Sequence, residues 1–413
     1  MQFGFQSGTF LLLIAAIVAI LTRRLRLPYS AGLVAAGIAL AAIPHIPRIS
    51  VTKHLIYTGL LPPLLFEAAY NLHWERLRRN SPLVGVLVTA GVLLSLATIA
   101  AGMHAFEHWP WSSAFIFGSL IAATDPVSVI AVFREAKAHG RLPLLIESES
   151  LMNDGTASVA FAAAVAAATG QTVGAGAITL MLVKSIGGAL ICGFIVGSAS
   201  LLLTGRTEDH LVETTFTTVA AYGSFLLADS FGMSGVLATI AAGLVMRNFK
   251  RIDGISARGK EAVRNFWEYA AFIANSMVFL LIGVQQKEQA FLAVWGPILI
   301  AIGVVLAGRA AAVYSCCGLF QWSKLAVTLR QQHILVWSGL RGALALALAL
   351  GLPQKLPQRD EIVTVSFGVV AFSIFVQGLT TGPLLRKQGE IPGAGAKREE
   401  AVHEGSGPPA AKR

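Results

Sequence analysis

Apolar residues run along this chain in stretches of roughly 17 to 25, the length that crosses a hydrocarbon layer about 30 Å thick at about 1.5 Å per residue. The polar gaps between the stretches are short. Window hydropathy places them at roughly 6–22, 30–47, 54–72, 82–103, 111–133, 142–169, 174–204, 211–229, 232–247, 265–284, 290–316, 331–351 and 361–385, which predicts about thirteen transmembrane helices. The expected fold is an all-α polytopic membrane protein with one continuous membrane domain over 1–387. After it comes a short tail, 388–413, reading "QGEIPGAGAKREEAVHEGSGPPAAKR". That tail is rich in Gly, Pro and charge and too short to fold, so disorder is expected there.

Composition points the same way. Of 413 residues 55% are apolar and only 13% charged, with a mean hydropathy of +0.67, whereas soluble domains are about a quarter charged. The opening run "FLLLIAAIVAILTRRLRL" has its basic cluster after the apolar stretch and no small-residue cleavage site, which reads as a retained first span and not as a signal peptide. Cys192, Cys316 and Cys317 lie in apolar runs, so no disulfide framework is implied.

The charges orient the spans. Arg23, Arg24 and Arg26, Arg76, Arg78 and Arg79, Arg134, Lys137 and Arg141, Arg206, the cluster from Arg247 to Arg264, and Lys324 with Arg330 fall in alternate loops, together with the basic residues from Arg386 onward. The other loops hold only Arg48, Lys53, Lys287, Lys355 and Arg359. By the excess of Lys and Arg on the cytoplasmic side, the N-terminus is expected outside and the C-terminus in the cytoplasm. The net charge of +10 then reflects topology and anionic lipid, and no nucleic acid partner is expected.

Ionisable residues inside the spans are the candidates for chemistry, since each costs about 2.5–3.5 kcal/mol to insert at the helix centre. They are Lys184, Arg309 and Arg341, and chiefly Glu67, Asp125, Glu149 and Asp154 among the acids. Counted along a helix, Asp125 lies roughly 14 Å from Arg134, Asp154 roughly 20 Å from Arg141 and Glu67 roughly 14 Å from Arg76. Three acids from three spans thus share the midplane without matching bases, an arrangement suited to a cation, to protons, or to each in turn. Glu149, roughly 12 Å from Arg141, and Arg341, roughly 16 Å from Arg330, are expected to form a structural bridge, because an unpaired guanidinium at that depth is costly. Lys184 and Arg309 have no obvious partner and read as packing or lipid-facing residues.

Two spans carry interruptions. In "IAATDPVSVIAVF" Pro126 has no N–H and clashes with the preceding turn, so the helix is expected to open at Asp125. Backbone opened at membrane depth is tolerated where it is buried in protein or lines a cavity, and its free carbonyls can act as ligands; Thr124 or Asp125 capping a restarted helix is compatible with this. In "ESESLMNDGTASVAF" Ser150 and Asp154 are four apart, as are Glu149 and Asn153, so each pair shares a helix face. The face offers oxygen ligands and no His or Cys, which suits a hard cation over zinc or copper. With few fixed ligands, a monovalent ion such as sodium is favoured over a caged calcium ion. Seven spans later, "VWSGLRGALALAL" is interrupted by Gly339 and Gly342. An offset of seven in thirteen fits two inverted six-helix repeats, with helices 5 and 12 broken and the seventh as linker.

The motifs "LLPPLLFEAAY", "ATDPVSV", "ESLMNDGTA", "FLLIGV" and "GLRGALALALAL", in this order and at these spans, resemble the NhaP-type branch of the monovalent cation/proton antiporters, which also includes the eukaryotic sodium/proton exchangers. The resemblance implies a homodimer in which a six-helix core moves against a dimerisation domain with alternating access. Carried over by motif, Asp125 and Asp154 resemble the ion-binding carboxylates, with Ser150, Glu67 and the Thr124 carbonyl as co-ligands. Asn153 resembles the amide of the Asn-Asp pair, and Glu149 with Arg341 the structural bridge. The short tail departs from the eukaryotic pattern and favours a prokaryotic inner-membrane protein.

On this reading the chain is a transporter and not an enzyme, with no cofactor besides the transported sodium and protons. One titrating acid per cycle predicts one sodium (or lithium) for one proton; a potassium/proton antiporter is the nearest alternative. An intramembrane aspartyl protease would also use two acids, but its Gly-x-Gly-Asp stretch is absent. A cation channel also suits midplane ligands, and a requirement for counter-ion separates it from an antiporter.

Overall fold

The computed structural model describes residues 5–25, 27–43, 54–125, 127–136, 138, 140–170, 175–248, 255–286, 289 and 291–391. Pro126, the loop charges Arg48, Lys53 and Lys287, and the tail from 392 onward lie outside the described residues.

The described residues fold into helices with no strand among them. In chain order these are α1 (Phe5–Leu25), α2 (Tyr29–Ala42), α3 (Leu61–Asn71), α4 (Trp74–Val86), α5 (Val92–Glu107), α6 (Trp111–Ala122), α7 (Val127–Glu135), α8 (Arg141–Ala168) and α9 (Ala175–Thr204). Then come α10 (His210–Ser230), α11 (Gly235–Asn248), α12 (Ala257–Gln286), α13 (Trp295–Gly318), α14 (Leu329–Trp337), α15 (Ala343–Leu350), α16 (Arg359–Phe372) and α17 (Gly378–Lys387). Wider π-helical turns lead into α3 and join α4 to α5 and α16 to α17. Among the described residues eight helices are long and apolar enough to cross a membrane, and Tyr29–Ala42, Trp111–Ala122 and Gly235–Asn248 are shorter apolar helices.

The helices occupy the expected spans, with two ends displaced. The α4–α5 run begins at Trp74 and α12 at Ala257, ahead of the apolar stretches at 82 and 265. Their first eight residues hold Arg76, Arg78 and Arg79, and Arg258, Lys260 and Arg264. Hydropathy reads contact with lipid, while backbone hydrogen bonding carries a helix on into the polar interface. Both interruptions are present: α6 stops at Ala122 and α7 starts at Val127, and α14 stops at Trp337 and α15 starts at Ala343.

Helix contacts sort the chain into two bodies. In the first, α2 lies on α12, α9 against α10 and α11, and α3 against α11 and α12. In the second, α5 packs between α6 and α13, α6 on α8, and α15 against α6 and α16. Small residues permit the tightest crossings. At the α2–α12 contact a Cβ on Gly37 would overlap the Leu280 carbonyl, and one on Gly283 would overlap that of Val34. The bodies meet where α8 touches α3, α9 and α11, and where α12 touches α15.

Candidate functional site

Breaking two helices inside an apolar protein frees backbone groups that must find partners. At the first break the Asp125 N–H donates to the Leu340 carbonyl of the second break, at 2.7 Å, so the interrupted segments satisfy each other where they cross. The Thr124 N–H donates to Asn153 Oδ1 at 3.3 Å, and the Thr124 carbonyl accepts the Ser150 hydroxyl. Arg341 Nη1 donates to the carbonyls of Ala122 and Ala123 at 2.7 and 3.0 Å. The Val127 N–H donates to Asp125 Oδ1 at 3.0 Å, the capping contact foreseen as compatible with a break. Gly342 is required because a Cβ there would overlap the Asp125 carboxylate.

Beside the crossing lies a cavity of about 240 Å³, with Glu67, Thr124, Asp125, Glu147, Asp154 and Asn275 in its wall. No Lys, Arg or His lines it among the described residues. It sits between the bodies, since Glu67 and Asn275 belong to α3 and α12 and the other four to α8 and the first break. The Asp154 carboxylate makes no hydrogen bond or ion pair to a described residue, whereas Asn71 donates to Glu67 Oε1 at 2.6 Å. A second cavity of about 180 Å³ has Asn71, His73 and Arg76 in its wall and shares Ile130 and Glu147 with the first. The site therefore extends toward the end of the molecule that carries Arg76.

Ser150 and Asn153 stand behind this cavity. Both are buried and neither lines it. Asn153 Nδ2 donates to Thr124 Oγ1 at 2.7 Å and to Glu149 Oε1 at 3.1 Å, and Thr124 Oγ1 lies 3.1 Å from Ser150 Oγ. They hold the first break in place against α8.

The expected bridge from Glu149 to Arg341 is corrected. Glu149 pairs with Arg309 of α13 in a two-pronged contact, Nη1 to Oε1 and Nη2 to Oε2, each 2.7 Å. Arg309 also donates to the Leu335 carbonyl. At 7% exposure it does not face lipid. The cause is geometric: depth counted from Arg330 assumes a continuous helix, but α14 ends at Trp337 and the irregular chain beyond turns Arg341 to the first break. Gly339 leaves room for the true partner, as a Cβ there would come within 2.6 Å of Arg309 Nε. A signal for Arg309 was available, since Val305, Gly308, Ala312 and Cys316 around it form the buried small-residue stripe of α13. Glu147 and Asn275 were also missed; Glu147 stands seven residues, about two turns, before Asp154 on the same helix face. Lys184 is exposed, as a lipid-facing residue would be.

The sequence profile described as "Sodium/hydrogen exchanger, transmembrane" matches residues 11–387. The chain is 38% identical over 367 residues to the low-affinity Na(+)/H(+) antiporter NhaS1 of Synechocystis sp., a match covering 87% of this chain and 69% of that protein. It is 32% identical over 413 residues to the Na(+)/H(+) antiporter NhaP of Pseudomonas aeruginosa, covering 91% and 96%. The solved structure of the sodium proton antiporter MjNhaP1 from Methanocaldococcus jannaschii superposes with a TM-score of 0.75 at 20% identity, covering 92% of this chain and 98% of that one, which shows a shared fold.

Proposed function

As this chain belongs to the sodium/hydrogen exchanger family, we propose that it exchanges sodium for protons across a membrane by loading each in turn on Asp125 and Asp154. The observation that carries the reading is the cavity itself. Asp125 and Asp154 both line it, and no Lys, Arg or His does among the described residues, while the two buried arginines nearby are turned to Glu149 and to backbone carbonyls. On this reading a cation or protons supply the positive charge beside Asp125 and Asp154.

Sodium binds when both carboxylates are ionised, and a proton neutralises one of them, so the two cargoes exclude each other. A site that crosses only when filled then exchanges them. Asp125 and Asp154 ride on the second body and Glu67 on the first, so movement of one body against the other carries the load between the two sides. One sodium for one proton makes the exchange electroneutral. The same reading gives thirteen crossings with the N-terminus outside and the C-terminus in the cytoplasm of a prokaryotic inner membrane, and a homodimer, as the motif resemblance implies. The loop charges support that orientation.

The test is proton movement in proteoliposomes on adding sodium, lithium or potassium in turn, for the parent and for Asp154→Asn. Sodium or lithium should drive proton movement in the parent and fail to do so in the variant, which should still insert and purify. Sodium-driven exchange in a folded Asp154→Asn protein would sink the assignment. A response to potassium alone would make the protein a potassium/proton antiporter, and sodium flux without counter-ion would make it a channel.

A further inference from the structure

The two bodies contribute unequally to the cavity. From the first body its polar wall is Glu67 on α3 and Asn275 on α12. Asn275 lies eleven residues from Arg264 and eleven from Gln286, roughly 16 Å from each along the helix, which puts it at the depth of the acids. Its amide makes no hydrogen bond to a described residue, although the side chain is half-buried. Such a group at membrane depth needs a partner. The adjoining face of α12, about 60–100° around the helix from Asn275 at 3.6 residues per turn, is held firmly. Ser276 Oγ is 2.7 Å from the Tyr29 hydroxyl, Phe272 stacks on Tyr29 with ring centroids 5.6 Å apart, and Gly283 packs on the Val34 backbone. Asn275 is thus kept facing the cavity by contacts that belong wholly to its own body.

We propose that Asn275 is a cation-binding residue that sets affinity on one side of the membrane, its amide oxygen facing the sodium ion held by Asp125 and Asp154, directly or through one water. The inference rests on the antiport reading. An amide oxygen is a hard, uncharged ligand suited to sodium, so it strengthens sodium binding without adding a titrating group. Because it stands on the body that does not carry the two aspartates, it meets the ion only in the orientation described here, whose cavity extends toward the Arg76 end, the proposed cytoplasmic side.

The test compares the parent, Asn275→Ala and Asn275→Asp in everted and right-side-out vesicles, reading sodium-driven proton movement. In everted vesicles, where sodium meets the cytoplasmic face, Asn275→Ala should raise half-saturating sodium by about fivefold or more, and in right-side-out vesicles by less than about twofold. Asn275→Asp keeps an oxygen and should stay at or below the parental value. The proposal is overturned if Asn275→Ala matches the parent in everted vesicles, if the rise is equal on both faces, or if Asn275→Asp behaves like Asn275→Ala. Should Asn275→Ala fail to reach the membrane, Asn275→Leu, of similar volume, takes its place with the same expectation. A parent that moves no protons with sodium would defeat the antiport reading instead. Protection of the purified protein from thermal unfolding by sodium then decides the ligand: protection lost in Asn275→Ala supports it, and equal protection overturns it.

Discussion

Replacing Arg309 by Met removes the guanidinium from a pair whose side chains are 8% and 2% exposed. Among the described residues Glu149 then keeps only the Asn153 amide at 3.1 Å as partner for a full charge. Breaking a buried pair in this way costs about 3–5 kcal/mol, because the remaining charge is stranded. The Leu335 carbonyl also loses its donors at 3.1 and 3.3 Å, about 1 kcal/mol more. Removing the second charge should reverse most of the loss, since a buried pair exchanged for neutral residues of similar volume is often close to neutral in stability. Thermal unfolding of the purified protein in detergent should therefore rank Arg309→Met lowest and Arg309→Met with Glu149→Gln well above it. The same cycle with Arg341→Met should show no rescue, as Arg341 holds Ala122 and Ala123 and not Glu149. Rescue of Arg341→Met by Glu149→Gln, without rescue of Arg309→Met, would refute the pairing.

Gly342→Ala pushes a Cβ into the Asp125 carboxylate; overpacking of this kind costs about 1–3 kcal/mol, so half-saturating sodium should rise about tenfold in a protein that still purifies, and an unchanged value would show that Asp125 is not confined there. Asn153→Asp replaces the donor that faces Glu149 Oε1 and Thr124 Oγ1 with an acceptor beside both. It should lower the unfolding midpoint and, because residue 153 does not line the cavity, leave transport no more sensitive to voltage; a stable and voltage-driven variant would contradict this. For the parent, a potassium diffusion potential set with valinomycin should leave unchanged the sodium gradient that balances a fixed pH gradient. A shift with voltage, worth about 2.3 kcal/mol per charge per 100 mV, would mean that a second proton is carried, with Glu67 as its first candidate.

The membrane class, the positions of the helices and both interruptions were legible in the sequence because each rests on a local rule: a run of apolar residues, a proline, a pair of glycines. Counting along the helices pointed to Glu67, Asp125 and Asp154 together, and these three line one cavity. The same rule failed at Arg341, for rise per residue loses its meaning where the chain leaves the helix after Trp337. Asn275 was invisible for another reason. An uncharged amide in an apolar run carries no insertion penalty large enough to stand out, and only the packing of α12 on α2 and the cavity beside it show which way it faces. The division of Ser150 and Asp154, one bonded to Thr124 and one in the cavity wall, could not be read from a spacing of four, which fixes a shared helix face and not what each side chain meets.

The crossing of the two breaks also bears on which acid does what. Every partner of the freed backbone around residues 122–125 comes from a group outside the cavity wall, namely Arg341, Asn153, Ser150 and the Leu340 carbonyl. Neither carboxylate is consumed in holding the break, apart from the one oxygen that Asp125 gives to the Val127 N–H. Asp154 stands on the unbroken α8 and in the cavity wall, and among the described residues no backbone group bonds its carboxylate. Asp125 is placed differently: its N–H is bonded to the second break and its carboxylate lies against Gly342. A change of charge at Asp125 is therefore felt by both interrupted helices at once. On the proposed reading Asp154 is the acid that exchanges proton for sodium, and Asp125 is the acid through which the two broken helices sense whether the site is filled.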